Sequence, residues 1–159
     1  MPNKLTYLSG IWVNKMSSEV NNRIEGIVTD FKQYSDWEDR YKHLISLGKS
    51  LAPMDETHKT ESNKIKGCQS QVWLHAELQG NKIIFTADSD ASIVKGIIAL
   101  LVQVYSGCTP DEILGMKPTF LEEIGLKEHL SMSRANGLTA MVKQISFYAM
   151  AFKIKLGNQ

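Results

Sequence analysis

Apolar positions along this chain change their spacing several times, and each change marks an element. Val20, Ile24, Ile27, Val28 and Phe31 recur at helical intervals and predict a helix capped by Ser17 or Ser18. Trp37, Tyr41, Leu44 and Ile45 form a second stripe, with Asp36 as its N-cap and Gly48 as its expected C-terminal stop. Residues 49–64 are polar, contain Pro53 and show no period, which predicts a surface loop. From Val72 the period becomes two: Val72, Leu74, Ala76 and Leu78 alternate with Trp73, His75, Glu77 and Gln79. Gly80-Asn81 then turns the chain, and Lys82 to Ala87 returns as the second strand of a hairpin. Asn63 to Lys66 is expected to add a short third strand.

The helical period resumes after Asp88-Ser89-Asp90. These residues open a helix over Ala91 to Ser106, with carboxylates at the positive end of its dipole. That helix is apolar nearly all round, so it is expected at the buried centre. Gly107 ends it, and Thr109-Pro110-Asp111-Glu112 reads as a capping box with proline at the first helical position. Short helices follow, one around Phe120 to Glu123. Ser133 is expected to cap a long last helix carrying Leu138, Met141, Val142, Ile145, Ala149 and Phe152. The order predicts an α+β fold, a small antiparallel sheet with helices packed on one face. Without strand–helix alternation or a glycine-rich phosphate loop, nucleotide binding has no support.

Composition narrows the picture. A chain of 159 residues with 43% apolar residues suits one domain, expected over 17–159. Residues 1–16 read as a disordered extension ahead of a more natural start at Met16. The net charge of +1, without a basic block, argues against nucleic-acid and anionic-membrane partners. Ile97 to Val104 is too short to span a bilayer. Two cysteines do not make a disulfide framework, and a reducing cytoplasm fits best.

Chemistry concentrates at Gly67-Cys68-Gln69-Ser70-Gln71, just before the first hairpin strand. The neighbours offer amides and a hydroxyl, but no second thiol, histidine or carboxylate. Cys68, Cys108, His43, His58, His75 and His129 form no close-spaced ligand pair, so no metal site is expected. Cys68 remains, either as a buried small hydrophobe or as a nucleophile. Lys66 and the turn amides are expected to raise its thiolate fraction, and a thiolate on a flexible turn suits exchange at sulfur. Cys108 is expected to be buried and structural.

The motifs then resemble one family. Trp37-Glu38-Asp39-Arg40-Tyr41, Asn63 to Trp73 around the cysteine, Asp88 to Gly96, Thr109-Pro110-Asp111-Glu112-Ile113 and His129 to Leu138 follow one another as in SufE proteins, the sulfur acceptors of SufS-type cysteine desulfurases. The resemblance implies a fold similar to IscU. It also implies an accessory sulfur carrier, not an enzyme with its own cofactor, since pyridoxal phosphate belongs to the desulfurase. Cys68 would take the terminal sulfur from a desulfurase persulfide and pass it to SufB in the SufBCD assembly complex. Gly67, Gln69, Ser70 and Gln71 would shape the loop; Asp90, Arg134 and His129 would assist docking or support the loop. A CsdE-like partnership with a CsdA-type desulfurase, an IscU-like scaffold and an allosteric module with an idle cysteine stay open. A monomer or weak homodimer is expected. The Lys66–Gln71 turn is further expected to have two positions, one sheltering the thiol and one presenting it.

Overall fold

The computed structural model describes the backbone of residues 5–8 and 11–158, with side chains from residue 19 to 158. Leu5–Leu8 (β1) and Ile11–Asn14 (β2) pair antiparallel, and a helix, α1, runs Lys15–Lys32. A short backbone ladder thus occupies part of the expected extension over 1–16; residues 1–4 and 9–10 lie outside the described residues. The β-forming runs on either side of Ser9-Gly10 are the local reason. The helix also begins ahead of Ser17 and Ser18, the expected caps.

Helix α2, Trp37–Lys49, starts where the Asp36 carboxylate accepts the Asp39 N–H at 2.9 Å. Gly48 is not its stop. It is buried within the helix, and a Cβ there would fall 2.8 Å from the Gly96 nitrogen. Gly96 in turn faces Leu44, so two glycines let α2 and α3 (Ser92–Tyr105) cross with their backbones nearly touching. Missing side chains, not chain termination, explain Gly48.

The hairpin pairs β3 (Val72–Gln79) with β4 (Lys82–Ser89), from Val72↔Ser89 to Gln79↔Lys82. Ile83, Phe85 and Ala87 of β4 are buried, and α3, with Ile97, Ile98, Leu100, Leu101 and Val104 fully shielded, forms the centre of the core. The expected third strand is reduced to one bridge, Lys64↔Trp73, because the chain swings away at Gly67, whose φ is +93°. The loop before it is tied down: Lys59 bonds Asp88 at 2.8 Å, and His58 stacks on His75 with ring centroids 3.7 Å apart.

After α3 the Ile83 N–H bonds the Cys108 carbonyl at 2.8 Å, and Cys108 itself is buried. Helix α4, Pro110–Leu114, carries the expected capping box between Thr109 and Glu112. Helix α5 is Phe120–Glu123, and α6 is Met132–Gly157. Ser131, not Ser133, caps α6: its Oγ accepts the Arg134 N–H at 3.3 Å, while Ser133 lies inside the first turn. No helix among the described residues is long and apolar enough to cross a membrane.

Candidate functional site

Cys68 sits at the tip of a pinned excursion. At its base, the Ile65 N–H bonds the Val72 carbonyl at 2.8 Å and the Leu74 N–H bonds the Asn63 carbonyl at 2.9 Å. Asp90 adds a second clasp from the foot of α3. Its carboxylate accepts the Gln71 N–H at 3.0 Å, and its own N–H donates to the Gln71 carbonyl at 3.3 Å. Asp90 therefore does not cap α3, whose N-cap Ala91 has no side-chain bond. It fastens the cysteine loop to the sheet–helix junction.

The thiol points onto α6. Cys68 Sγ lies 3.7 Å from the Gly137 carbonyl oxygen, and a Cβ on Gly137 would fall 3.3 Å from that sulfur. Glycine at this helical position gives the sulfur its seat. The signal was legible, because an interior helical glycine costs about 1 kcal/mol relative to alanine and needs a reason. The patterning assigned it none.

A cavity of about 310 Å³ opens beside the thiol. Val94, Ile97 and Met141, all buried, form its apolar floor, while Gln69, Ser70, Ser131, Ser133 and the exposed Arg134 line its polar wall. A single water needs roughly 10–15 Å³, so the volume beside the thiol is ample for one extra sulfur atom.

Electrostatics at rest differ from the expectation drawn from Lys66 and the turn amides. Partial burial pushes the Cys68 thiol above its ordinary pKa. Loss of hydration penalises the thiolate. Lys66 is exposed and does not reverse this. The free protein thus holds a sheltered, protonated thiol. Cys108 is more extreme: burial, and then the nearby Glu112 carboxylate, raise it to about 11.

The remaining predicted residues separate cleanly. Gly67 turns the loop, and a Cβ on it would come 3.5 Å from Ala140. Gln69 and Ser70 reach the cavity wall, and Gln71 holds the Asp90 clasp. Arg134 joins the wall. His129 does not: its ring stacks on Trp37 with centroids 4.0 Å apart, its Nδ1 meets the Gly125 carbonyl, and its own carbonyl accepts the Tyr41 hydroxyl. It braces the approach to α6. Among the described residues, no three His, Cys, Asp or Glu side chains converge as metal ligands do.

The clasp carries a test. Asp90→Ala should speed iodoacetamide labelling of Cys68 by roughly fivefold, because an exposed hydrogen bond to a charged group contributes on the order of 1 kcal/mol. Unchanged labelling of a normally folded variant would show that the clasp does not restrain the loop.

A loop that shelters one thiol over a small cavity invites comparison with known proteins. The family model described as SufE, Fe-S metabolism associated domain, matches residues 25–149. The chain belongs to the SufE family. It is 43% identical over 128 residues to an uncharacterized SufE-like protein of Synechocystis, covering 80% of each chain. An uncharacterized SufE-like protein of Rhizobium meliloti is 41% identical over 127 residues, covering 77% of this chain and 91% of that one. The solution structure of a hypothetical protein from Thermus thermophilus shares the fold. Its TM-score is 0.70 at 22% identity, over 83% of this chain and 96% of that one. SufE membership places the chain in iron–sulfur metabolism, in a sulfur-transfer role beside a cysteine desulfurase.

Proposed function

We propose that this SufE protein carries sulfur as a persulfide on Cys68, accepting it from a SufS-type desulfurase and yielding it to SufB in the SufBCD complex. One observation carries the reading: Cys68, half-buried where Cys108 is buried, lines a cavity at the tip of a clasped loop, over an apolar floor and beneath a polar mouth. The chain itself needs no cofactor for this exchange; pyridoxal phosphate serves the desulfurase.

The chemistry balances without a further reagent. The Cys68 thiolate attacks the terminal sulfur of the desulfurase persulfide, forming a new S–S bond at Cys68. The S–S bond in the desulfurase breaks, and its cysteine departs as thiolate. The proton lost by Cys68 ends on that departing thiolate, and the transferred sulfur keeps its oxidation state because one S–S bond forms as the other breaks. Arg134, which lines the same cavity, brings a positive charge to the wall around the persulfide. The apolar floor withholds the new sulfur from dissolved thiols.

The raised thiol pKa shapes the expected behaviour. In the free protein, iodoacetamide labelling of Cys68 should climb about tenfold per pH unit through neutrality and still be rising at pH 9, since only the thiolate reacts. Desulfurase should accelerate labelling at pH 7 by drawing the loop out of its seat. A plateau reached below pH 8 would contradict the resting state described here.

The deciding experiment is intact mass with peptide mapping after incubation with a SufS-type desulfurase, pyridoxal phosphate and cysteine. One reductant-labile sulfur on Cys68 is expected. An unmodified Cys68 beside an actively turning-over desulfurase would reject the carrier role with that partner, and a CsdA-type desulfurase is the next to try.

A further inference from the structure

We propose that Met132 is the apolar anchor with which this chain grips the desulfurase, filling an apolar pocket beside the partner's persulfide-bearing loop. The inference rests on the carrier reading and adds the residue that holds the two proteins together.

Met132 is 82% exposed, the most open large hydrophobic side chain among the described residues. It takes no part in the hydrophobic core. Its place is the first position of α6, between Ser131 and Ser133, both of which line the cavity beside Cys68. Nothing in the fold calls for a large apolar group there.

Transfer supplies the missing reason. An S–S bond is about 2.05 Å long, so the partner's sulfur must come to within bonding distance of Cys68 Sγ. The partner's surface then has to close over the rim formed by Gln69, Ser70, Ser131, Ser133 and Arg134. Met132 lies between two of those serines in sequence and faces open water, so in the proposed complex it is covered in the same act. Apolar side chains that pass from open water to full burial at the centre of an interface are those that dominate affinity. Methionine's flexible thioether suits a pocket that must also let a loop move.

The same helix provides an internal control. Phe147 is also exposed, at 67%. It lies fifteen residues farther along α6, about 22 Å at helical rise, beyond the rim.

The test measures the Kd for pyridoxal-phosphate-loaded SufS-type desulfurase by calorimetry, with wild type, Met132→Ala, Met132→Leu, Met132→Glu and Phe147→Ala. Met132→Ala should weaken binding about tenfold and Met132→Glu about a hundredfold or more, as expected for losing a buried methionine and for burying a charge. Met132→Leu should stay within about threefold of wild type, Phe147→Ala should be unchanged, and iodoacetamide labelling of free Met132→Ala should match wild type. At saturating desulfurase, Met132→Ala should still gain one sulfur on Cys68. A Met132→Ala Kd within twofold of wild type, or a Met132→Leu loss equal to that of alanine, would overturn the anchor. Weakened binding by Met132→Ala with no sulfur on wild-type Cys68 would leave the anchor standing and remove the carrier reading. A wild type that binds no desulfurase would remove both.

Discussion

A Cys68→Ser variant should acquire no sulfur from an active desulfurase, a drop of at least about a hundredfold, because a serine hydroxyl is scarcely ionised and a poor nucleophile toward sulfur. The replacement is nearly isosteric, and its hydroxyl can donate to the Gly137 carbonyl as the thiol does. The fold should survive, and circular dichroism with urea unfolding would check this. Loss of sulfur uptake would then report chemistry and not collapse. Stimulation of desulfurase turnover should vanish with it if Cys68 clears sulfur from the partner. A variant that still stimulates turnover fully would instead make this chain an allosteric module. Cys108 offers the matching control. Its thiol is buried, 1% exposed, and raised to about 11, so it should stay unmodified in wild type and in Cys68→Ser alike. Sulfur mapped to Cys108 would contradict the proposed site.

Gly96→Ala should destabilise the domain by about 3 kcal/mol, at the upper end for overpacking. A Cβ there would sit 2.7 Å from the Leu44 carbonyl carbon and 2.9 Å from its Cγ, so backbone, and not merely a flexible side-chain end, must give way. Gly48 faces the same contact from the other helix, which leaves α2 and α3 little freedom to slide. For a domain of this size the melting temperature should fall by roughly 6–12 °C. Urea unfolding with an unchanged denaturant slope would measure the loss directly, and a cost below about 1 kcal/mol would mean the helices separate easily. The effect should reach the site as well. Helix α3 supplies Val94 and Ile97 to the cavity floor and begins just after the Asp90 clasp, so its displacement loosens the seat of Cys68.

Much of this molecule was legible in one dimension. Periods of 3.6 and 2 located α2, the hairpin, the buried α3 and α6, because burial on one face of an element imposes its own spacing on the chain. The Asp36 cap and the Thr109–Glu112 box were equally plain, since capping acts between residues three apart. Cys68 stood out by elimination and by the motif around it. Gly48, Gly137, Asp90 and Met132 show where that reading stops. Glycine after a helical stripe suggests termination, yet Gly48 lies inside α2 because Gly96, forty-eight residues on, approaches it. Asp90 looks like a helix-end charge until Gln71, nineteen residues earlier, arrives at its carboxylate. Lys66 promised an activated thiol, but α6 covers Cys68 and burial outweighs a nearby exposed charge. Spacing along the chain determined the elements, and the local motif singled out Cys68; the packing of α6 and α3 around the loop decided that the thiol rests protonated, clasped and sheltered, because desolvation and close approach depend on neighbours distant in sequence.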